Sequence, residues 1–234
     1  VSVYVGGGTP TSLSEEQFER LMAMTEKYLP MEQSKEFTVE AGRPDSITEG
    51  KLRSMKTHGV TRISINPQSM KEHTLELLGR KHTVEEIREK FMLARTLGFD
   101  NINMDLIAGL PEETLEDFKE TLREVEALKP DSITVHTLVI KRASRLRKEQ
   151  LEQGGEMREE DACIEPMQKE AEQFCRVHGY EPYYMYRQKN KAHTTRNTNQ
   201  ENVAYAKPGK ECLYNIFIME ELQSILALGS GGSS

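Results

Sequence analysis

The sequence predicts an α/β fold with a parallel sheet. Segments of strand-like and helix-like composition alternate from residue 1 to about residue 140, which is the pattern of repeated strand–helix units. The chain opens on the β-branched run of residues 1–5 and passes directly into Gly6, Gly7 and Gly8. Glycines after a strand let the backbone approach a ligand, at the strand end where parallel sheets bind ligands.

Composition excludes several classes of protein. The 234 residues carry a net charge of −7, and the 29% of charged residues are of both signs, which argues against a nucleic-acid partner or an anionic membrane surface. No apolar run approaches the length of about 20 residues that spans a bilayer, and the first residues lack the pattern of a signal peptide. These features predict a soluble, cytoplasmic protein without a membrane span.

The first two strand–helix units follow from short local signals. Residues 1–5 form the first predicted strand. Ser14 and Gln17 then fit a capping box, which begins a helix with apolar residues at helical spacing. A second strand is predicted over residues 37–41, and a second helix over residues 45–58, before Gly59.

The third unit contains two predicted helices. Its strand covers residues 60–65, and a short helix covers residues 71–78. Thr83 opens a capping box for a longer helix, which ends at Gly98.

The fourth and fifth strands enclose one more helix. They cover residues 101–107 and 132–138. Thr114 opens the helix between them, and Pro130 ends it.

The alternation loosens after residue 140, which predicts an appendage to the first part. We expect a helix over residues 161–178, a strand over residues 183–186 and a last strand over residues 224–228. Residues 190–202 are almost wholly polar.

Polar side chains lie at or near the ends of the predicted strands. A parallel sheet would bring them together at its carboxyl end. Glu40 ends the second strand, Gln68 follows the third, Asp105 lies within the fourth and His136 within the fifth. A buried carboxylate such as Asp105 needs hydrogen-bond partners. One interpretation is a structural network, and the other is a polar ligand held by hydrogen bonds.

The residue types favour recognition over proton transfer. The amides of a glycine turn suit a carboxylate, an amine or a base edge, while Glu40 and Gln68 suit ribose hydroxyls or an ammonium group. Arg80 can clamp a carboxylate with its planar fork, or be a solvated charge in a loop. Together these residues describe an amino-acid-bearing nucleoside as the ligand.

No catalytic residue or metal ligand is assigned within the chain. The six histidines show no metal-ligand spacing, and Cys163, Cys175 and Cys212 are odd in number and widely spaced. An absence of disulfide patterning fits a reducing compartment. The glycine turn also lacks the lysine of a phosphate-binding loop.

The ordered motifs carry a family resemblance. They are the glycine turn of residues 6–11, Thr38-Val39-Glu40, residues 59–64 leading to Gln68, Gly79-Arg80, and residues 103–111. Together they resemble the oxygen-independent coproporphyrinogen III oxidase family of radical S-adenosylmethionine (SAM) proteins, strongly over residues 1–140. Later segments, residues 183–190, 201–203 and 205–210, resemble the HemZ-type branch, often called coproporphyrinogen dehydrogenase.

The resemblance implies a fold and a site. The fold is a partial (β/α) barrel of the radical SAM type that lacks its first βα unit, with the barrel over residues 1–140 and a C-terminal α+β appendage over residues 141–234. The positions that match the family's cofactor-binding residues are Gly7, Gly8, Thr9, Glu40, Gln68, Arg80, Asp105 and, at a backbone contact to adenine, Val139.

The implied cofactors are SAM and a 4Fe-4S cluster. Family members hold the cluster with a CxxxCxxC motif after the first barrel strand, and the sequence contains no such motif. Its cysteines lie in the wrong region and at the wrong spacing. We therefore expect the cluster ligands upstream of Val1, and we expect the chain to be a fragment of a longer enzyme that is inactive alone.

The implied reaction is the oxidative decarboxylation of coproporphyrinogen III to protoporphyrinogen IX, in which a radical removes a hydrogen from a propionate side chain and a vinyl group results. The implied partners are a small tetrapyrrole substrate and an electron donor. Two alternatives stay open. One is a haem chaperone on the same barrel, and the other is a non-catalytic, truncated remnant.

Overall fold

The computed structural model describes residues 1–138, 160–187 and 201–229, and it contains one sheet of seven strands. The strands are β1 (Ser2–Val5), β2 (Glu36–Gly42), β3 (Arg62–Gln68), β4 (Ile102–Ala108), β5 (Ser132–Thr137), β6 (Glu181–Arg187) and β7 (Glu201–Ala206). β1 to β5 pair in parallel and in chain order. The five strands predicted over residues 1–140 are thereby confirmed.

Seven α-helices accompany the sheet in the described parts of the chain. They are α1 (Glu15–Tyr28), α2 (Glu49–Thr57), α3 (Glu72–Leu77), α4 (Val84–Thr96), α5 (Leu115–Leu128), α6 (Glu160–Val177) and α7 (Leu213–Met219). The capping boxes at Ser14 and Thr83 form as predicted, and Thr114 forms a third with Asp117.

The predicted start of the second helix at residue 45 is wrong. Pro44–Ser46 form a short 3-10 turn, and Ile47 is extended. The helix begins only at Glu49 because the hydroxyl of Thr48 accepts a hydrogen bond from the amide of Lys51, which satisfies a free donor at the helix start.

The two faces of the sheet differ in polarity. One face carries apolar side chains such as Val39, Ile63 and Met104, which are fully buried together with helix residues such as Phe91 and Phe118. Full burial of each such side chain stabilises the fold by about 1.5–3 kcal/mol. The helices therefore cover this face.

The opposite face carries a buried polar row that crosses the sheet. Register pairs Glu40 with Ser64, Ser64 with Asn103, and Asn103 with Ser132. The side-chain amide of Asn103 donates to the hydroxyl of Ser64 over 3.0 Å, and the hydroxyl of Ser132 donates to the Asn103 carbonyl over 3.0 Å. Buried polar groups need such partners, so the row is largely self-satisfied.

The sheet curls so that its two edges approach each other. The strand order is β1-β2-β3-β4-β5-β7-β6, which puts β1 and β6 at opposite edges, and yet α7 contacts both. The carboxylate of Glu36 accepts hydrogen bonds from the backbone amides of Leu213 and Tyr214, at the start of α7. This curled half-barrel confirms the predicted fold class.

The C-terminal part extends the same sheet. β7 pairs antiparallel with both β5 and β6, and α6 packs against α5, β4 and β5. The helix predicted at residues 161–178 is thus present one residue earlier, at Glu160–Val177, and the strand predicted at residues 183–186 is present over the longer range Glu181–Arg187. The division into domains at residue 140 stays a prediction, and strands from both sides of it share one sheet.

The sequence prediction of this part missed two elements and contained one error. β7 and α7 were not predicted, because Glu201 and Asn202 give the β7 segment a polar start and α7 follows it closely. The predicted strand over residues 224–228 is wrong, since these residues pair with no strand of the described sheet, and Leu226 and Leu228 are largely exposed. Within the described ranges, no helix is long and apolar enough to cross a membrane.

Candidate functional site

The glycine turn follows β1 and lies against β2. A Cβ atom on Gly6 would lie against the Tyr4 ring and 2.7 Å from the Glu40 carboxyl carbon, so a larger residue here would displace these side chains. Gly7 has a φ of +82°, which favours glycine. No described atom lies within 4 Å of a Cβ on Gly7 or Gly8. The turn therefore presents its backbone to an open side of the molecule.

The carboxylate of Glu40 is held by groups from both sides of this turn. The Tyr4 hydroxyl donates to Oε1, and a Cβ atom on Gly6 would lie 2.7 Å from the carboxyl carbon, so the turn lies directly against the carboxylate. Burial raises the pKa of Glu40 and the nearby charge of Asp105 adds to the rise, whereas the hydrogen bonds from Tyr4 and Gly7 oppose it. Glu40 is thus a fixed, partly desolvated hydrogen-bond acceptor.

Asp105 lies one row further along the polar face. The Asn103 amide donates to Oδ1 over 2.6 Å, and Oδ2 lies 3.7 Å from Nε2 of His136. Burial lowers the pKa of His136, but the nearby carboxylate of Asp105, helped by the charge of Glu40, outweighs it and raises the pKa overall. The pair places a carboxylate and an imidazole that favours its charged form at one end of the sheet.

Gln68 and Arg80 lie beyond the strands. Gln68 ends β3 with a φ of +72°, after a register shift relative to β4, and its side chain is half-buried. Arg80 follows Gly79 between α3 and α4. Burial lowers the pKa of Arg80, the neighbouring Arg43 lowers it further, and Asp45 opposes the shift.

The structure brings most of the predicted residues to the carboxyl ends of β1 to β4. The glycine turn lies against Glu40, whose charge interacts with Asp105. Thr9 packs on Gly42, where a Cβ would stand 3.0 Å from the Thr9 methyl group. Within the described residues, no hydrogen bond joins Gln68 to another candidate. Val139 lies outside the described residues, and the binding roles of all eight stay predictions.

Sequence reasoning missed three side chains that shape this site. Tyr4 orients Glu40, Asn103 orients Asp105, and Arg43 lies beside Arg80. Tyr4 and Asn103 both alternate with apolar residues along their strands, which was the available signal. No local pattern marks Arg43, because its proximity to Arg80 depends on the packing of the loop after β2 against the loop before α4.

The cysteines of the chain do not fit an iron–sulfur cluster. Cys163 and Cys175 lie on α6, whereas Cys212 caps α7 and contacts Glu36. Burial raises the pKa of Cys175 to about 12 and is the main cause that raises the pKa of Cys212 to about 11, which disfavours the thiolate that binds iron. No group of three or more metal-binding side chains is present in the described ranges.

The residues do fit the other predicted cofactor. Gly6 keeps the turn close to Glu40, the amides of Gly7 and Gly8 border open space, and Arg80 supplies a positive charge. Backbone donors, a fixed carboxylate and a guanidinium are the groups that an amino-acid-bearing nucleoside requires.

The fold is that of the radical SAM superfamily. The sequence model of the Radical SAM superfamily matches residues 1–125, and the chain belongs to that superfamily. The family uses SAM and a 4Fe-4S cluster. The family resemblance and the cofactor class inferred from the sequence are therefore confirmed.

Individual relatives within the superfamily are also similar to this chain. The chain is 47% identical over its whole length to the oxygen-independent coproporphyrinogen-III oxidase-like protein HemZ of Bacillus subtilis, covering 45% of that protein. It is 29% identical to the heme chaperone HemW of Escherichia coli, over 92% of the chain and 51% of HemW. The chain spans about half the length, or less, of the curated relatives it matches.

A solved structure gives the same fold. Coproporphyrinogen III oxidase (HemN) of Escherichia coli superposes with a TM-score of 0.69 at 24% identity, over 94% of this chain and 45% of that one. At this identity the match shows the fold alone.

Proposed function

We propose that the whole protein to which this chain belongs is a radical SAM enzyme of porphyrin synthesis, which converts coproporphyrinogen III to protoporphyrinogen IX by oxidative decarboxylation. The 47% identity to HemZ over the whole chain supports this class of activity. The observation that carries the proposal is the position of Glu40, which is oriented by Tyr4 beside the glycine turn and lies on the polar face of the sheet that also carries Asp105. We further propose a cytoplasmic location and a separate electron donor.

Each residue has a distinct part in binding SAM. The backbone of the turn at Gly8 and Thr9 faces the amino-acid portion, Glu40 accepts hydrogen bonds from ribose hydroxyls, and the Gln68 amide accepts or donates hydrogen bonds there. The guanidinium of Arg80 pairs with the carboxylate, and Asp105 accepts a hydrogen bond from a polar group of the ligand. When bound beside a reduced cluster, SAM supplies a carbon radical that removes a hydrogen atom from an unactivated C–H bond.

Burial makes these contacts effective. Glu40 is fixed by Tyr4 before any ligand arrives, so little side-chain entropy is lost on binding. The low local dielectric also strengthens the charge-assisted hydrogen bonds of Glu40 and Arg80. Such a pocket orients the cofactor and excludes water from it.

A haem chaperone is the second candidate. Two observations favour it, namely the identity to HemW over nearly the whole chain and the half-exposed His136 at the same sheet end. In this role the protein binds haem and passes it to a recipient.

One experiment separates the two candidates. The full-length protein is reconstituted anaerobically with iron and sulfide, and 5′-deoxyadenosine and protoporphyrinogen are measured after addition of SAM, a reductant and coproporphyrinogen III. The oxidase predicts both products. Tight haem binding by a protein with a formed cluster that yields neither product contradicts the oxidase and supports the chaperone.

A further inference from the structure

Arg43 is held at the edge of the predicted cofactor site by the end of β2. A register shift between Glu40 and Gly42 bends the strand there, and Gly42 has a φ of +73°. The side chain of Thr9, in the glycine turn, packs on Gly42. The chain therefore leaves the strand beside the glycine turn, and Arg43 is the next residue.

The guanidinium of Arg43 is incompletely paired. Its Nε lies 3.4 Å from Oδ1 of Asp45, but this buried nitrogen has no hydrogen-bond partner in the described parts of the chain. The side chain as a whole is 41% exposed, which leaves the outer nitrogens accessible. Arg43 thus has donors that its single ion pair with Asp45 does not occupy.

Asp45 connects the loop that carries Arg43 to the loop that carries Arg80. Its Oδ1 lies 3.4 Å from Nε of Arg43 and 3.8 Å from Nδ1 of His82, two residues after Arg80, and the charge of Arg43 lowers the pKa of Arg80. Arg80 takes part in no ion pair among the described residues. The negative charge of Asp45 acts on both arginines, since it pairs with Arg43 and opposes the lowered pKa of Arg80. Two arginines side by side repel each other unless anions offset their charge.

Asp45 does not offset both charges. The fourth member of the cluster, His82, has a fully buried side chain whose Nδ1 lies 3.8 Å from Oδ1 of Asp45. Burial lowers the pKa of His82, and the charge of Arg80 lowers it further, against the opposing charge of Asp45. Arg43, Arg80 and Asp45 together carry two positive charges and one negative charge.

We propose that Arg43 and Arg80 together form a two-arginine subsite for a carboxylate of the ligand. The proposal rests on the proposed function and adds a second arginine to the site. Guanidinium groups bind carboxylates through paired hydrogen bonds, and a carboxylate between the two arginines relieves their repulsion. The carboxylate belongs either to the amino-acid part of SAM or to a propionate of the tetrapyrrole.

Ligands that differ by one carboxylate distinguish these two sources. Equilibrium dissociation constants are measured on the full-length protein for SAM, for decarboxylated SAM and for coproporphyrin III. If the cofactor carboxylate is bound, Arg43→Met weakens SAM about tenfold or more and leaves decarboxylated SAM within about twofold. If a propionate is bound, Arg43→Met weakens coproporphyrin III by a similar factor.

Three variants control the result. Arg53→Met removes an exposed arginine that pairs with Glu49 on α2, and its affinities stay at the wild-type values. Arg43→Gln repeats the test with a polar side chain, and far-ultraviolet circular dichroism checks that each variant folds. Arg80→Met reports on the proposed function itself.

The outcomes separate the two claims. Unchanged affinity of both Arg43 variants for SAM and for coproporphyrin III overturns the two-arginine subsite, whatever Arg80→Met shows. A loss of SAM affinity in Arg80→Met alone keeps the proposed cofactor site and rejects a role for Arg43. If neither SAM nor coproporphyrin III binds the wild-type protein, both the subsite and the proposed function are overturned.

Discussion

The hydroxyl of Tyr4 donates a hydrogen bond to the carboxylate of Glu40 across the β1–β2 pair. The Tyr4 ring also stacks on Tyr214 of α7, with 4.2 Å between ring centroids. Tyr4 therefore links the helix that closes the half-barrel to the carboxylate predicted to contact the cofactor. This contact joins the structure of the barrel to the proposed function of its site.

Removing this hydroxyl should weaken both folding and binding. Tyr4→Phe keeps the stacking on Tyr214 but leaves a buried oxygen of Glu40 with one donor fewer, which costs about 1–3 kcal/mol. We expect a lower free energy of unfolding in urea and a several-fold weaker affinity for SAM. Tyr28→Phe, at a position that is 68% exposed, is the matched control. Equal values for Tyr4→Phe and wild type would show that the hydroxyl does not orient Glu40.

The glycine turn offers a matched pair of substitutions. Gly6→Ala places a methyl group against Tyr4 and Glu40, and such overpacking costs about 1–3 kcal/mol. Gly8→Ala meets no described atom within 4 Å and should change the free energy of unfolding by less than about 0.5 kcal/mol. In ligand titrations, however, Gly8→Ala should weaken SAM binding, because the methyl group stands on the open side of the turn. Similar unfolding curves for both variants contradict this description.

The pair of His136 and Asp105 predicts a pH dependence of stability. The folded-state pKa of His136 is raised, so the folded protein holds this proton more tightly than the unfolded chain does. The resulting stabilisation is fully present below the unfolded pKa of about 6.5 and is lost as pH rises through the higher folded value. Chemical denaturation of wild type and His136→Gln across this range should show a difference that shrinks with rising pH. A constant difference between wild type and His136→Gln across this pH range would show that Asp105 does not raise the pKa of His136.

The raised pKa of Glu40 predicts that its charged carboxylate destabilises the fold at alkaline pH, although the same carboxylate serves ligand binding. Its folded-state pKa is raised, chiefly by burial, so its contribution to stability is present at acidic pH and is lost as pH rises through the folded value. Glu40→Gln should therefore melt at a higher temperature than wild type at alkaline pH, with a smaller advantage at acidic pH. The same variant should bind SAM more weakly. A lower melting temperature at alkaline pH together with unchanged SAM affinity would contradict both expectations.

Local signals were sufficient to predict most of the first 140 residues. The capping residues Ser14, Thr83 and Thr114 mark helix starts within four residues of sequence, and the positions of Glu40 and Asp105 on their strands follow from alternation. These features depend on neighbouring residues, so a single sequence contains them.

Long-range contacts account for what the sequence did not reveal. β7 lies between β5 and β6, so its pairing reverses the chain order, and Glu36 caps a helix that begins 177 residues later at Leu213. The approach of Arg43 to Arg80 likewise depends on the packing of two loops. No local pattern encodes such contacts, because each depends on how distant segments meet in the folded sheet.

The affinity of the full-length protein for SAM tests the central claim most directly. Isothermal titration calorimetry gives the dissociation constant of SAM for wild type, Arg80→Ala and Asp105→Ala. Each variant lacks one proposed contact to SAM. Loss of a hydrogen bond to a charged group weakens binding about tenfold or more, and we predict that loss in both variants. Wild-type affinity in both variants would contradict the account and place the SAM pocket elsewhere in the protein.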